Sequence, residues 1–251
     1  MKRKIIMNFT GALICLLTVR SIFAQPDKEF AKATQLYSAS RFQEAITGYE
    51  ALVHSGDWSA NLFYDLGNAY FRVGDVGRAI LNYERALALE RHHPEAKANL
   101  QIARDQARAL ELTAGPVERV LRFESVNQFA IAAAIAFWIA AFSLVRRLFA
   151  QRHGAGAIAS SILSLLIFAG AAFASYQLEN GAQGKALAIV VAKDVEARLA
   201  TADNAHSVLA LPPGSEIQVL STRGDWIYAE LPNNLRGWLP AKSAELVRLQ
   251  L

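Results

Sequence analysis

The sequence predicts three structural classes in one chain: an all-α superhelix of repeats, a two-helix transmembrane hairpin and a small all-β barrel. Three observations carry this reading. SRFQEAITGYEAL (40–52) and GDVGRAILNYERAL (74–87) superpose with an offset of 34 residues. Two apolar runs of bilayer-spanning length flank the basic stretch RRLFAQRHG (146–154). Beyond residue 185, short β-branched runs alternate with turn signals. The resulting order is a leader (1–24), repeats with a capping helix (25–113), a linker (114–125), a first spanning helix (126–145) and a cytoplasmic loop (146–154). A second spanning helix (155–176), a linker (177–185) and a β module (186–251) complete it.

The leader has a basic start (Lys2, Arg3, Lys4), an apolar core and small residues before a cut expected at Ala24–Gln25. An uncleaved anchor is the alternative. The single cysteine, Cys15, follows Leu13 and Ile14 in the apolar core, which does not suit a lipoprotein cut. Removal of the leader leaves no cysteine and excludes thiol catalysis, disulfides and Cys-ligated metal. It also removes four basic residues and no acid. The 26 Lys+Arg then fall to 22 against 22 Asp+Glu, and the net charge of +4 disappears. A nucleic-acid role thereby loses its electrostatic support.

In the repeats, Ala45 falls on Ala79, Ile46 on Ile80, Tyr49 on Tyr83 and Ser40 on Gly74. Leu66, Gly67 and Tyr70 supply the large, small and aromatic positions of a first helix. The earlier copy departs, with Ala33 and Leu36 in the places of Gly67 and Tyr70. A third first-helix follows Pro94, with Leu100, Ala103, Ala107 and Leu110 along one stripe. The pattern resembles the tetratricopeptide repeat (TPR), whose helix pairs stack because no single unit buries its apolar face. The resemblance implies a concave peptide-binding surface. It would be lined by Phe30, Thr34 and Tyr37, then Tyr64, Asn68, Phe71 and Arg72, then Ile102 and Asp105. The rings would anchor an extended segment, Asn68 would hold its backbone and Arg72 a carboxylate. Tyr37 and Tyr64 are equally compatible with packing between helices.

Neither apolar run spares a polar face, which separates them from a buried hairpin of a soluble bundle. Ala132, Ala136 and Ala140 recur every four residues, as do Ala155 and Ala159, a spacing that permits close helix contact in lipid. Arg146, Arg147 and Arg152 hold the connecting loop on the cytoplasmic side, so both flanks are expected outside. The signal-like leader implies the same topology, and the expected location is the inner membrane of a bacterium with both flanking modules in the periplasm.

The β runs are AIVV, VEARL, SVLAL, EIQVL, WIYAEL and GWLP, separated by TADN, PPG, TRGD and PNN. LPPG (211–214), GDW (224–226), GW (237–238) and SAEL (243–246) follow an order similar to the bacterial SH3-like domain. Trp226 and Trp238 form either a ligand groove for peptide or peptidoglycan or a cover over the open end of the core.

The stretch YDLGNAYFRVGDVGRAILNYERALALERHHPEAKANLQIAR (64–104) resembles the BatE family of the Bat aerotolerance operon, and the module order agrees along nearly the whole chain. That resemblance implies a scaffold or assembly factor without cofactors. Its implied partners are membrane-anchored von Willebrand factor A-type proteins and, indirectly, a MoxR-type ATPase. Enzyme motifs are missing: there is no G-x-S-x-G, P-loop or H-E-x-x-H, and His92-His93 has only Glu90 and Glu95 nearby in sequence. The alternative is a cell-wall sensor that grips peptidoglycan through the SH3-like domain.

Overall fold

The computed structural model describes residues 24–121, 126–149, 155–181 and 184–249. The leader to residue 23 and the connection at 150–154, with Arg152 and His153, lie outside the described residues, as do the side chains of Arg146 and Arg147. The chain divides into two compact units, Met1–Arg108 and Ala109–Leu251.

The first unit contains α1 (Ala24–Ser38), α2 (Phe42–Ser55), α3 (Ala60–Arg72), α4 (Val76–Leu89) and α5 (Pro94–Ala107). Its core comes from the positions that recur every 34 residues: Ala45 and Ala79, Ile46 and Ile80, Tyr49 and Tyr83 are all buried. The recurrence extends to single hydrogen bonds. The Tyr49 hydroxyl donates to Thr34 Oγ1 at 3.1 Å, and 34 positions later the Tyr83 hydroxyl donates to Asn68 Oδ1 at 2.8 Å. Ser40 and Gly74 both take the left-handed conformation between paired helices. Arg41 N then donates to Leu36 O at 2.9 Å and Asp75 N to Tyr70 O at 3.0 Å. The helix starts repeat as well. Ser59 Oγ accepts from Leu62 N at 3.1 Å, capping α3, and His93 Nδ1 accepts from Ala96 N at 3.3 Å, capping α5.

The departure of the first copy has a packing explanation. In the second pair, a Cβ on Gly67 would stand 2.7 Å from the Tyr83 ring, so α3 approaches α4 through a missing side chain. In the first pair the vacancy lies on the partner helix: a Cβ on Gly48 would stand 3.0 Å from the Ala33 Cβ. Ala33 in place of Gly67 is thus matched by Gly48 in place of Asn82. Each pair keeps one glycine at its crossing, on opposite helices.

α5 stops at Ala107, because Arg108 takes the left-handed conformation (φ 52°) and closes the helix. Leu110, read from sequence as part of the α5 stripe, packs instead against the core of the second unit.

That unit begins with an extended linker and the short α6 (Pro116–Leu121), followed by α7 (Val126–Phe149) and α8 (Ala155–Asn180). At 24 and 26 residues, α7 and α8 are long and apolar enough to span a membrane. They pack on each other through Ala133 and Ala136 on one side and Ser164, Ala171 and Ala174 on the other, while Trp138, Phe142, Leu163 and Leu166 point outward. The expected four-residue rows are corrected here: Ala132 and Ala159 are exposed. A strict spacing of four drifts about 40° around a helix per step, and the alternation of three and four keeps the contact on one face.

After α8 come β1 (Leu187–Val190), β2 (Val195–Arg198), β3 (Ser207–Leu211), β4 (Glu216–Arg223), β5 (Trp226–Glu230), β6 (Arg236–Pro240) and β7 (Ala244–Leu246). They form one antiparallel sheet in the order β3-β2-β6-β5-β4-β1-β7. Alternation along β5 and β6 sends Ile227, Ala229 and Leu239 into the core with Val190, Leu211, Ile217 and Leu231. The protein is therefore helical in its first part, carries two helices of membrane-spanning length, and ends in an all-β part.

The linker is bound to the β part. Leu110 N donates to Ser215 Oγ at 3.1 Å, Glu216 N donates to Leu110 O at 2.8 Å, and Leu112 N donates to Glu216 Oε2 at 3.0 Å. Glu216 is fully buried. On the far side of the hairpin, Gln218 Nε2 donates to Asn180 O at 3.0 Å, where α8 ends. Glu216 and Gln218 on β4 thus tie down the linker ahead of α6 and the end of α8.

Candidate functional site

Five of the residues expected to bind a partner occupy one side of the helical unit. On α3, Leu62, Phe63, Leu66, Gly67, Ala69 and Tyr70 are buried, leaving Tyr64, Asp65, Asn68, Phe71 and Arg72 as a partly exposed stripe. Spacing of three and four residues puts these five on one helix face. Tyr37 joins them from α1: its hydroxyl is within electrostatic reach of Arg72, Asp65 and Tyr64.

Not every side chain has the expected freedom. Asn68 Oδ1 already accepts from Tyr83 and, at 2.8 Å, from Asn99 Nδ2, so its amide oxygen holds α3, α4 and α5 together. Thr34 donates to Phe30 O at 3.0 Å and accepts from Tyr49. Phe30 lies 5.7 Å from the Tyr49 ring. These three are structural first. Arg72 is exposed, with its guanidinium 4.9 Å over the Phe42 ring, a cation–π contact that orients the side chain while leaving N–H groups for an anion. Ile102 is 56% exposed on α5, and Asp105 accepts from Gln101 at 3.1 Å.

Both tyrosines pack against neighbouring rings, one of the two roles that sequence left open, and both keep part of their surface exposed. Tyr37 stacks edge-on with Phe42 at 5.3 Å, and Tyr64 lies 4.9 Å from the His93 ring, yet both remain only half-buried. Burial pushes the Tyr37 hydroxyl up, with Arg72 opposing and Asp65 reinforcing the shift. Burial also takes Tyr49 up to about 12.

Asp65 is the residue that sequence reasoning missed. Burial raises its carboxyl from 3.8 to about 6, and the nearby His93 only partly opposes the shift. Among the described residues it has no hydrogen bond or ion pair. A polar residue at a half-exposed helix position reads in sequence as ordinary solvated surface. Its distinction comes from burial in the folded chain, which His93, 28 positions away along the chain, only partly opposes.

On the β part, Trp226, Tyr228 and Trp238 lie on the outward side of β5 and β6, opposite the core-facing Ile227 and Leu239. Tyr228 and Trp238 are cross-strand partners with ring centroids 5.0 Å apart. Trp226 is directly opposite Pro240. The row is half-exposed, and Arg198 extends it as the cross-strand neighbour of Trp238.

The chain matches no protein-family model and no curated protein.

Proposed function

We propose that this protein is a non-enzymatic, membrane-anchored scaffold or assembly factor whose helical unit is a TPR module and whose β part is an SH3-like domain. The observation that carries the reading is the α1–α3 face, where Tyr37, Tyr64, Phe71 and Arg72 stand partly exposed on a frame fixed by the repeated Tyr49–Thr34 and Tyr83–Asn68 bonds. Rigid aromatic anchors beside a free guanidinium suit an extended protein segment.

Bonding of Leu110 and Leu112 to Ser215 and Glu216 supports a shared compartment for the two ends of the hairpin. With the arginine-rich connection inside, that compartment is the periplasm and the membrane is a bacterial inner membrane. The BatE-like character of 64–104 favours von Willebrand factor A-type membrane proteins as partners and, through them, a MoxR-type ATPase, in a complex for stress tolerance.

The row of Trp226, Tyr228 and Trp238 favours a second reading, in which the β part grips peptidoglycan and the protein senses the cell wall. Capture of partners from gently solubilised membranes separates the two. The scaffold reading expects Phe71→Ala with Arg72→Ala to lose the captured protein while Trp226→Ala keeps it. Hot-spot truncation removes about 2 kcal/mol or more, roughly thirtyfold in affinity. Loss in Trp226→Ala alone transfers recognition to the β part.

A further inference from the structure

We infer that the α1–α3 face holds a basic side chain of its partner segment, a lysine ammonium or an arginine guanidinium, on the carboxylate of Asp65. The inference rests on the reading of that face as a peptide site and names the chemistry of what enters it.

The fold provides donors for its other acids of this kind. Among the described residues of the helical unit, the remaining acids that are not fully exposed are Glu50, Asp75 and Glu84. Glu50 accepts from the Tyr70 hydroxyl, Asp75 caps α4 and pairs with Arg78 at 3.0 Å, and Glu84 pairs with Arg104 at 2.6 Å. Among the described residues Asp65 has neither hydrogen bond nor ion pair. With no donor among the described residues, this half-buried carboxylate is met by water alone, and a donor from outside the chain can take that place.

The surroundings select a cation over a neutral donor. Asp65 follows Tyr64 on α3 and lies within electrostatic reach of the half-buried Tyr37, and a carboxylate holds a charged donor more strongly than a neutral one. Among the described residues His93 is the one cation-forming group acting on it, and its Nδ1 is committed to the α5 cap. Arg72 sits two helical turns further along α3, about 10 Å at 1.5 Å per residue, and is drawn over Phe42 instead. The face therefore presents an anionic and a cationic post about 10 Å apart, a span of about three residues in an extended peptide. A basic residue and an acidic residue three positions apart would meet both.

The test uses the full chain in mild detergent on an array of twelve-residue peptides, acetylated and amidated so that only side chains carry charge. Central residues three apart vary among lysine, arginine, glutamine and glutamate. Expected is capture of peptides with a basic and an acidic residue at that spacing, lost when the basic residue becomes glutamine. The near-isosteric Asp65→Asn should weaken that capture roughly tenfold to a hundredfold, as for a hydrogen-bonded charged group. Phe71→Ala, which removes an anchor and no charge, should weaken all captured peptides alike. Capture that ignores the basic residue, or that survives Asp65→Asn while falling in Phe71→Ala, overturns the inference and leaves the peptide site standing. Capture that neither variant changes, or none by the unaltered chain, overturns both.

Discussion

Replacing Gly67 by alanine tests the helix crossing on which the proposed binding face is built. The added Cβ would stand 2.7 Å and 2.8 Å from two carbons of the Tyr83 ring and 3.3 Å from Ala79 O. Carbon atoms in ordinary contact are about 3.5–4.0 Å apart, so ring or helix must yield by about 1 Å. The ring cannot swing aside freely, being 1% exposed with its hydroxyl bonded to Asn68. Overpacking of this kind costs about 1–3 kcal/mol, and breaking the hydroxyl bond about 1 more. The better helix propensity of alanine offsets about 1 kcal/mol. The net is a destabilisation of about 1–3 kcal/mol, and Gly67→Leu should exceed it. Hydrogen exchange of α3 and α4 peptides in the full chain reads the change directly, since each 1.4 kcal/mol of lost local stability speeds exchange about tenfold. Exchange as slow as in the unaltered chain, or slower, would mean that propensity acts unopposed, and would refute the close-approach argument.

Three further outcomes follow. Asp65 has its folded-state carboxyl raised from 3.8 to about 6, so the folded chain holds a proton that the unfolded chain has released, and stability falls as pH rises through that window. Asp65→Asn should leave α3 exchange unchanged below pH 4 and stabilise it above pH 7 by about 1 kcal/mol, after discount for the solvent-facing part of the carboxylate. Equal effects at both pH values would contradict this, and His93→Gln in the same background separates the imidazole titration. Glu216→Ala should destabilise the β part by about 1–3 kcal/mol and expose 110–112 to exchange, because it leaves Leu112 N–H without its buried acceptor; protected linker amides would count against the tie. Alkaline phosphatase fused after Leu112 or Leu251 should be active and a fusion at Gln151 inactive, and the reverse pattern would invert the proposed topology.

The parts of the fold that sequence made legible are those fixed by local repetition. Tyr49 and Tyr83 fill equivalent core positions, and the same side-chain bond recurs at each. The two apolar runs are helices because a long uninterrupted apolar segment has few alternatives. Trp226 and Trp238, which sequence leaves open between a ligand groove and a cover over the core, stand opposite the core-facing Ile227 and Leu239. What stayed hidden depends on chain-distant contacts. Leu110 continues the α5 stripe in spacing, but the left-handed Arg108 ends the helix and Ser215, more than 100 positions on, takes its amide. The contact row of the hairpin was misplaced by one residue at Ala132, because a spacing of four is only locally close to the interface period. Asp65 escaped notice because a carboxylate acquires its character from what buries it.

The central claim is that the face bearing Phe71 holds a partner segment, and site-specific photocrosslinking in living cells tests it most directly. A photoreactive phenylalanine analogue replaces Phe71 in one strain, Trp226 in a second and, as a control away from the face, Leu89, which is 53% exposed. The account expects a discrete adduct from position 71, identified by mass spectrometry as a membrane protein and diminished by Asp65→Asn, with none from position 89. An adduct from position 226 and none from position 71 would contradict it.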